Sequence, residues 1–322
     1  MTSVVLTHGD IDGITAGAID MLAFPGAEFY FSRPSQIHLD LHRIAKDHPE
    51  TVVVSDIAVN SMRTGEIFDA LRHLSERSTV HWIDHHPLDA SVKRELSSLT
   101  DLYHETGPCA AELAYRKFEA RVPEHALNLA LYGAIADYCD TTPFVTKHLE
   151  DFDKRTLFLE AGLLVAALQE IDYRGQAREL ALQLTLGIEP SSMNDIVDLA
   201  IKATRIEHEV YRYIRQNAKK LGQVGYVLDM PVSGFRGKAA KFAATATNTC
   251  VGISARSFGE ELDLSLRRRD CDIDLNVTMN KVLAGIDKAQ GGGHPSAVGA
   301  SMNRNDFPLF LERLANQVQK FT

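Results

Sequence analysis

The chain has 322 residues, 34 Lys plus Arg against 43 Asp plus Glu, a formal net charge of −9, 45% hydrophobic residues and 24% charged ones. That length suggests two domains, and that composition excludes disordered and fibrous classes. A run such as Ala161 to Leu168 is far below the roughly 18 apolar residues of a membrane helix, so no membrane partner is expected.

The opening Met1-Thr2-Ser3-Val4-Val5-Leu6 has no basic n-region and turns polar at once, so no secretory signal is expected. Cys109, Cys139, Cys250 and Cys271 form no C-x-x-C pair, which argues against a disulfide framework or a zinc ribbon. A reduced, cytoplasmic protein is the expectation.

In chain order, Ser3 to Thr7 reads as a strand ending in a Gly/Asp turn, followed by a helix over Ile14 to Phe24. Thr51 to Ser55 is a second apolar strand, Ser61 to Arg77 an amphipathic helix, and Thr79 to Ile83 a third strand stopped by Asp84-His85-His86-Pro87. Apolar strands alternating with helices imply parallel βαβ units covered on both faces. Ligands of such sheets sit beyond the carboxyl ends of the strands. Cys109 to Gly187 reads almost wholly helical, and Ser191 to Leu221 is a long polar helix. Strand texture returns at Gln223 to Asp229, Thr249 to Arg256 and Leu262 to Arg268. A helix from Ile273 to Lys288 then leads into Gly291-Gly292-Gly293-His294, a short strand around Val298 to Met302 and a closing helix from Asp306 to Phe321. The predicted organisation is an α/β catalytic domain over 1–190, a helical linker over 191–222 and a smaller α/β domain over 223–322.

Charge follows those divisions. Residues 1–190 hold 29 acidic and 16 basic side chains, residues 191–222 hold 4 and 6, and residues 223–322 hold 10 and 12. Phosphate neutralisation dominates the grip on long duplex nucleic acid. An acidic first domain therefore argues against that partner.

Four polar clusters end the apolar strands or sit on a helix beyond them: His8-Gly9-Asp10-Ile11-Asp12-Gly13, Asp56, Asp84-His85-His86, and Asp137 with Asp140 close by. A solvated Asp after a strand is commonplace, and Asp84 could merely cap a turn beside surface histidines. An EF-hand reading of Asp10-x-Asp12 fails, because that loop needs Gly at its sixth position and Glu at its twelfth, where this chain has Thr15 and Met21. Carboxylates and imidazoles together, without thiolates, suit manganese or magnesium better than structural zinc. They are too many for one ion, and two ions about 4 Å apart, bridged by a shared carboxylate, would use them all.

His8-x-Asp10-x-Asp12-Gly13, Asp56, Asp84-His85-His86-Pro87 and Asp137 resemble, in order and spacing, the four motifs of the DHH phosphoesterase superfamily. Gly291-Gly292-Gly293-His294-Pro295-Ser296 resembles the DHHA1 substrate-binding domain that accompanies it. One departure concerns the fourth motif, often Thr-Asp-Thr-Gly in the family and Ala136-Asp137-Tyr138-Cys139-Asp140 here, which leaves Asp140 as a reserve for Asp137.

The resemblance implies a parallel-sheet DHH domain, a helical linker and a DHHA1 domain. It also implies two Mn2+ ions, with Mg2+ or Co2+ as substitutes. One ion would take His8, Asp10, Asp56 and Asp84; the other would take Asp12, Asp56, His85 and Asp137, with Asp56 bridging. His86, with Asp84 and Asp56, would serve the chemistry, His86 facing the substrate phosphate. Arg267 in Ser265-Leu266-Arg267, with Gly291, Gly292, Gly293 and His294, would hold the nucleotide. Three glycines permit close backbone approach to a phosphate, though a flexible turn explains them as readily.

Sparse aromatics in the basic region, Phe235, Phe242 and Phe258, disfavour a long single-strand channel. The reading is a phosphodiesterase of very short RNA, a nanoRNase-type enzyme taking linear dinucleotides, with pGpG among the candidates. Alternatives are a 3′-phosphoadenosine 5′-phosphate phosphatase, a cyclic dinucleotide phosphodiesterase, a RecJ-like exonuclease and, without turnover, a nucleotide-binding sensor. A homodimer is compatible with all of them.

Overall fold

A computed structural model describes residues 2–172 and 175–321; the side chains of Ser61 and His294 lie outside that description. Two compact units emerge, Met1–Lys202 and Ala203–Thr322.

The first unit begins with β1 (Ser3–Thr7), α1 (Ile11–Ala23), β2 (Glu28–Phe31), α2 (Ile37–Ala45), β3 (Thr51–Ser55), α3 (Thr64–Ser75), β4 (Thr79–Asp84), α4 (Ala90–Leu99) and β5 (Asp101–His104). These strands form a wholly parallel sheet of order β2-β1-β3-β4-β5. Side chains alternate across a strand, so Val4, Leu6, Val52, Val54 and Trp82 enter one core with α2, α3 and α4, while Val5, Val53 and Ile83 enter the other with α1. Both faces are covered, which is why these strands are apolar throughout.

The helical stretch resolves into α5 (Ala110–Phe118), α6 (Ala126–Ala136), α7 (Pro143–Leu149), α8 (Lys154–Ala167) and α9 (Gln176–Thr185). The helix α1 starts at Ile11, three residues before the predicted start, because the Asp10 carboxylate caps it by accepting from the Gly13 N–H at 3.0 Å.

Next comes α10 (Asn194–Asn217), and the division between the two units falls inside it. The second unit continues with β6 (Lys219–Leu221), β7 (Val224–Leu228), α11 (Arg236–Thr247), β8 (Val251–Phe258), β9 (Glu261–Arg268), α12 (Leu275–Val282), β10 (Gln290–His294), β11 (Ala297–Asn303) and α13 (Phe307–Val318). Its sheet has the order β10-β11-β9-β8-β7-β6 and is antiparallel except where β7 meets β8. The predicted helix over Ile273 to Lys288 is cut to eight residues, since Gly285 at φ 75° and Lys288 at φ 54° leave helical space.

One expectation is overturned. Cys250 and Cys271, read as reduced thiols, are disulfide-bonded with Cα atoms 5.8 Å apart. The β8–β9 hairpin explains it: Val251 pairs with Arg268, so the residues just outside that pair, 21 apart in sequence, come within bonding reach. Among the described residues no helix is long and apolar enough to cross a membrane.

Candidate metal centre

The register of the first sheet assembles the site. Thr7 pairs with Ser55 and Ser55 with Ile83, so the next residues, His8, Asp56 and Asp84, lie side by side at the strand ends. The chain crosses from β1 to β2 on one side and to β3 on the other, which makes the β1/β3 gap a topological switch point, where open parallel sheets hold ligands. Thr7 Oγ1 donates to the Gly13 and Ser55 carbonyls at 2.6 and 3.1 Å, tying both loops together. Asp56 sits at φ 60°, a left-handed conformation that Asp tolerates better than most residues.

Asp12 projects from the first turn of α1 to the start of α5, where its carboxylate accepts from the Ala110 and Ala111 N–H groups at 2.7 and 2.8 Å. Gly133 lets α6 approach: a Cβ there would stand 2.6 Å from Ala111 Cβ and 3.0 Å from Asp12 Oδ1. That approach brings Asp137, at the end of α6, into the cluster.

The distances centre on two imidazoles. His8 Nδ1 lies 3.0 Å from Asp10 Oδ2 and 3.5 Å from Asp56 Oδ2. His85 Nε2 lies 3.4 Å from Asp56 Oδ1 and 3.8 Å from both Asp12 Oδ2 and Asp137 Oδ2. His86 Nδ1 bonds Asp84 Oδ1 at 2.7 Å. Three sets of atoms are close enough to share an ion: His8, Asp10 and Asp56; Asp56, His85 and His86; and His85, Asp137 and Cys139. Asp56 belongs to two of them, as a bridging ligand must. Asp12, Asp84 and Asp140 belong to none of these three sets; Asp12 lies 3.8 Å from His85, and Asp84, fully buried, instead holds His86.

Asp12, Asp56 and Asp84 are 2%, 3% and 0% exposed, and among the described residues no Lys or Arg pairs with them. Burial, followed by the Asp56 charge, raises Asp12 well above the carboxylate range, and burial with the Asp10 charge pushes Asp56 up to about 6. Burial raises Asp137 as well. Burial opposes charge on the imidazoles, yet hydrogen bonds to Asp10 and Asp56 push His8 up to about 10, and bonds to Asp56 and Cys139 push His85 up to about 12. Asp56 Oδ2 and Asp84 Oδ2 are buried without a hydrogen-bond partner. Orphaned carboxylate oxygens among imidazole donors fit divalent cations, with no further cation needed from the protein.

A cavity of about 370 Å³ opens beside His8, Gly9 and Asp10, lined also by Phe31, Ser32, Arg33 and Gln36. A smaller one of about 160 Å³ touches Asp10, Asp12 and Asp137. Another, about 420 Å³ between α9 and the start of α10, touches none of the cluster and lacks its chemistry.

Sequence reading missed several contributors. His104 Nε2 bonds the His86 carbonyl at 2.7 Å, and Ser55 Oγ donates to the buried Asp20 at 2.6 Å, bracing the β3 end. Arg33 lies on a loop with no motif around it. Cys139 was visible only as a departure from a pattern.

In the second unit, Gly291, Gly292 and Gly293 belong to the strand β10, at the sheet edge, rather than to a loop. Only Gly293, at φ 151°, requires glycine by conformation, and a Cβ there would meet the Ala297 carbonyl oxygen at 2.5 Å. Its N–H donates to Asn276 Oδ1 at 3.1 Å. His294 pairs with Ala297 and Ala297 with Arg267, so the three share one row of the sheet; the His294 side chain lies outside the described residues.

No protein-family model and no curated protein matches the chain. Solved structures do. A DHH-domain member of the s1p family of ribosomal proteins is similar over 100% of this chain and 87% of its own, at 17% identity and TM-score 0.73. The pGpG-specific phosphodiesterase PggH of Vibrio cholerae is similar over 100% of both chains, at 12% identity and TM-score 0.63. A manganese-bound exonuclease RecJ is similar over 100% of this chain and 91% of its own, at 18% identity and TM-score 0.63. The likeness is one of fold: the chain shares the architecture of these DHH-domain, PggH and RecJ structures.

Proposed function

We propose that the protein is a divalent-metal-dependent phosphodiesterase that hydrolyses very short RNA, linear dinucleotides such as pGpG above all, to mononucleotides. The observation that carries this reading is the buried Asp56 carboxylate, shared by two metal-competent groups at the switch point of the sheet. His8, Asp10 and Asp56 would hold one ion, and Asp12, Asp56, His85 and Asp137 the other. Two bound ions would supply a hydroxide near neutral pH and shield the phosphodiester charge. Asp84 holds the His86 ring by its Nδ1, which orients it to donate to a nonbridging phosphate oxygen or to assist the leaving group.

Short substrates are supported by the acidity of residues 1–190 and by the end-to-end likeness to PggH, which acts on pGpG. The likeness to RecJ favours a single-strand exonuclease as the second reading. Purified protein with Mn2+ is expected to cleave a 5′-phosphorylated dinucleotide far faster than a long single strand. Efficient processing of the long strand alone overturns the first reading in favour of the second.

A further inference from the structure

The thiol at position 139 stands where the family pattern leads one to expect a glycine, and it lies inside the cluster. Asp137 caps the end of α6, Tyr138 turns the chain at φ 59°, and the Cys139 N–H closes back on the Ala134 carbonyl at 2.8 Å. This turn folds the thiol back onto the carboxylate two residues earlier, with Cys139 Sγ 3.6 Å from Asp137 Oδ2. His85 Nε2 is 3.8 Å from the same Asp137 oxygen, and atoms of His85, Asp137 and Cys139 all lie within 4.8 Å of one another. Ligands 2.0 to 2.3 Å from a common ion at a tetrahedral angle stand about 3.5 Å apart, close to the 3.6 and 3.8 Å that separate Cys139 Sγ and His85 Nε2 from Asp137 Oδ2. Beside it lie Asp12, 2% exposed and 3.8 Å from His85, and Asp56, 3% exposed, whose Oδ1 is 3.4 Å from His85 Nε2.

We infer that Cys139 is a ligand of the ion held by His85 and Asp137, giving that position a mixed nitrogen, oxygen and sulfur donor set. The inference rests on the metal-dependent reading above and deepens it, because the two ion positions become chemically unequal. His8, Asp10 and Asp56 offer only nitrogen and oxygen and suit Mn2+ or Mg2+. The Cys139 position draws a softer borderline ion such as Zn2+, Fe2+ or Co2+. When that ion binds, a sulfur–metal bond forms, the S–H bond breaks, and the proton leaves to solvent. No electron changes hands.

Cobalt distinguishes the outcomes spectroscopically, without any activity assay. The chelator-stripped full-length protein is titrated with Co2+ in parallel with Cys139→Ser and Cys139→Ala, each checked for native circular dichroism. The expected result is a near-ultraviolet sulfur-to-cobalt charge-transfer band in the parent protein, absent from both variants, while visible d–d absorption persists in all three. Every nitrogen/oxygen site favours Zn2+ over Mn2+ to some degree, so competition is read as a change in ratio: the Zn2+-over-Mn2+ preference falls at least about tenfold in Cys139→Ser. Cobalt d–d absorption in the parent protein with no charge-transfer band overturns the Cys139 assignment and leaves the metal-dependent reading standing. Absence of all cobalt absorption overturns both. Absence of the band from the parent spectrum decides against the assignment even if a variant misfolds.

Discussion

The two units handle charge in opposite ways. In the first, the site carboxylates Asp12, Asp56 and Asp84 are buried with no Lys or Arg paired to them among the described residues, and imidazoles face them instead. In the second, Arg267 is half-buried with no carboxylate partner among the described residues, and burial alone lowers its pKa. Each arrangement costs stability in the free protein, since desolvated charge without its counterion is unfavourable. Under the proposed function each would complement a ligand of opposite sign, divalent cations in one case and a phosphate in the other, and binding would restore the stability that each arrangement costs.

The sharpest way to break that contrast is Asp56→Asn, which keeps the left-handed backbone tolerable and removes the charge shared by both ion groups. Hydrolysis is expected to fall at least about a thousandfold. Thermal stability without metal should rise, because a carboxylate whose charge burial and the Asp10 charge disfavour is gone. In the parent protein, Mn2+ at about a hundred times its Kd should add about 3 kcal/mol. Differential scanning fluorimetry with and without Mn2+ reads both effects. A variant that keeps the parent's Mn2+-induced rise in Tm removes Asp56 from the site.

Asp20 tests whether the withheld stability reaches beneath the site. It is fully buried, accepts from Ser55 Oγ, and burial pushes its pKa up to about 7 against an ordinary value of 3.8. The folded state therefore holds a proton that the unfolded state gives up, and stability drains away as pH rises from about 4 to about 7. The loss is about 4 kcal/mol at most, some 3 pKa units. Asp20→Asn should flatten that decline while still accepting from Ser55. Urea unfolding of both proteins across this pH range checks it, and parallel pH profiles sink the idea.

The second unit offers a counterpart in the Cys250–Cys271 bond, whose loop spans 21 residues. By chain entropy, reducing it should cost about 3 kcal/mol. The loss should be confined to the second unit and leave the Mn2+-induced Tm shift intact. Hydrogen exchange with and without dithiothreitol reads the location, and loss of protection in the β1–β3 region contradicts it.

The site was largely legible because its residues follow apolar strands directly. His8, Asp56 and Asp84 each end such a run, and parallel register then sets them abreast. What stayed hidden depends on contacts remote in sequence. The short strands β2 and β5, Glu-Phe-Tyr-Phe and Asp-Leu-Tyr-His, lie at the sheet edges and show no clean alternation. The helix α11 has little sequence amphipathicity because it wedges against glycines: a Cβ on Gly252 would stand 1.9 Å from the Ala240 carbonyl oxygen. Local sequence does not bring His104 to the His86 carbonyl or Cys250 to Cys271. Cys139 reaches the cluster through one left-handed residue, Tyr138, whose conformation no side-chain pattern announces.

Arg267 carries the smallest expected effect and the finest test of the contrast. Its guanidinium donates to Ser265 Oγ at 3.1 Å and to the Leu266 carbonyl at 2.9 Å, which fixes its position without neutralising it. Its Nη2 lies against the start of α11, where a Cβ on Gly237 would come within 2.6 Å. An unpaired, partly desolvated cation adds little to stability, so Arg267→Ala should leave Tm unchanged or slightly higher. If the cation is held for substrate, KM for a dinucleotide should rise about 10- to 50-fold with kcat little altered, the mark of lost ground-state binding. Gly237→Ala moves the guanidinium without removing its charge and should raise KM by a smaller factor. Neither variant should change the Mn2+-induced rise in Tm, because the cations it reports are held by residues of the first unit. A fall in kcat with KM constant would place Arg267 in the chemistry instead, and the division of labour between the two units would have to be redrawn.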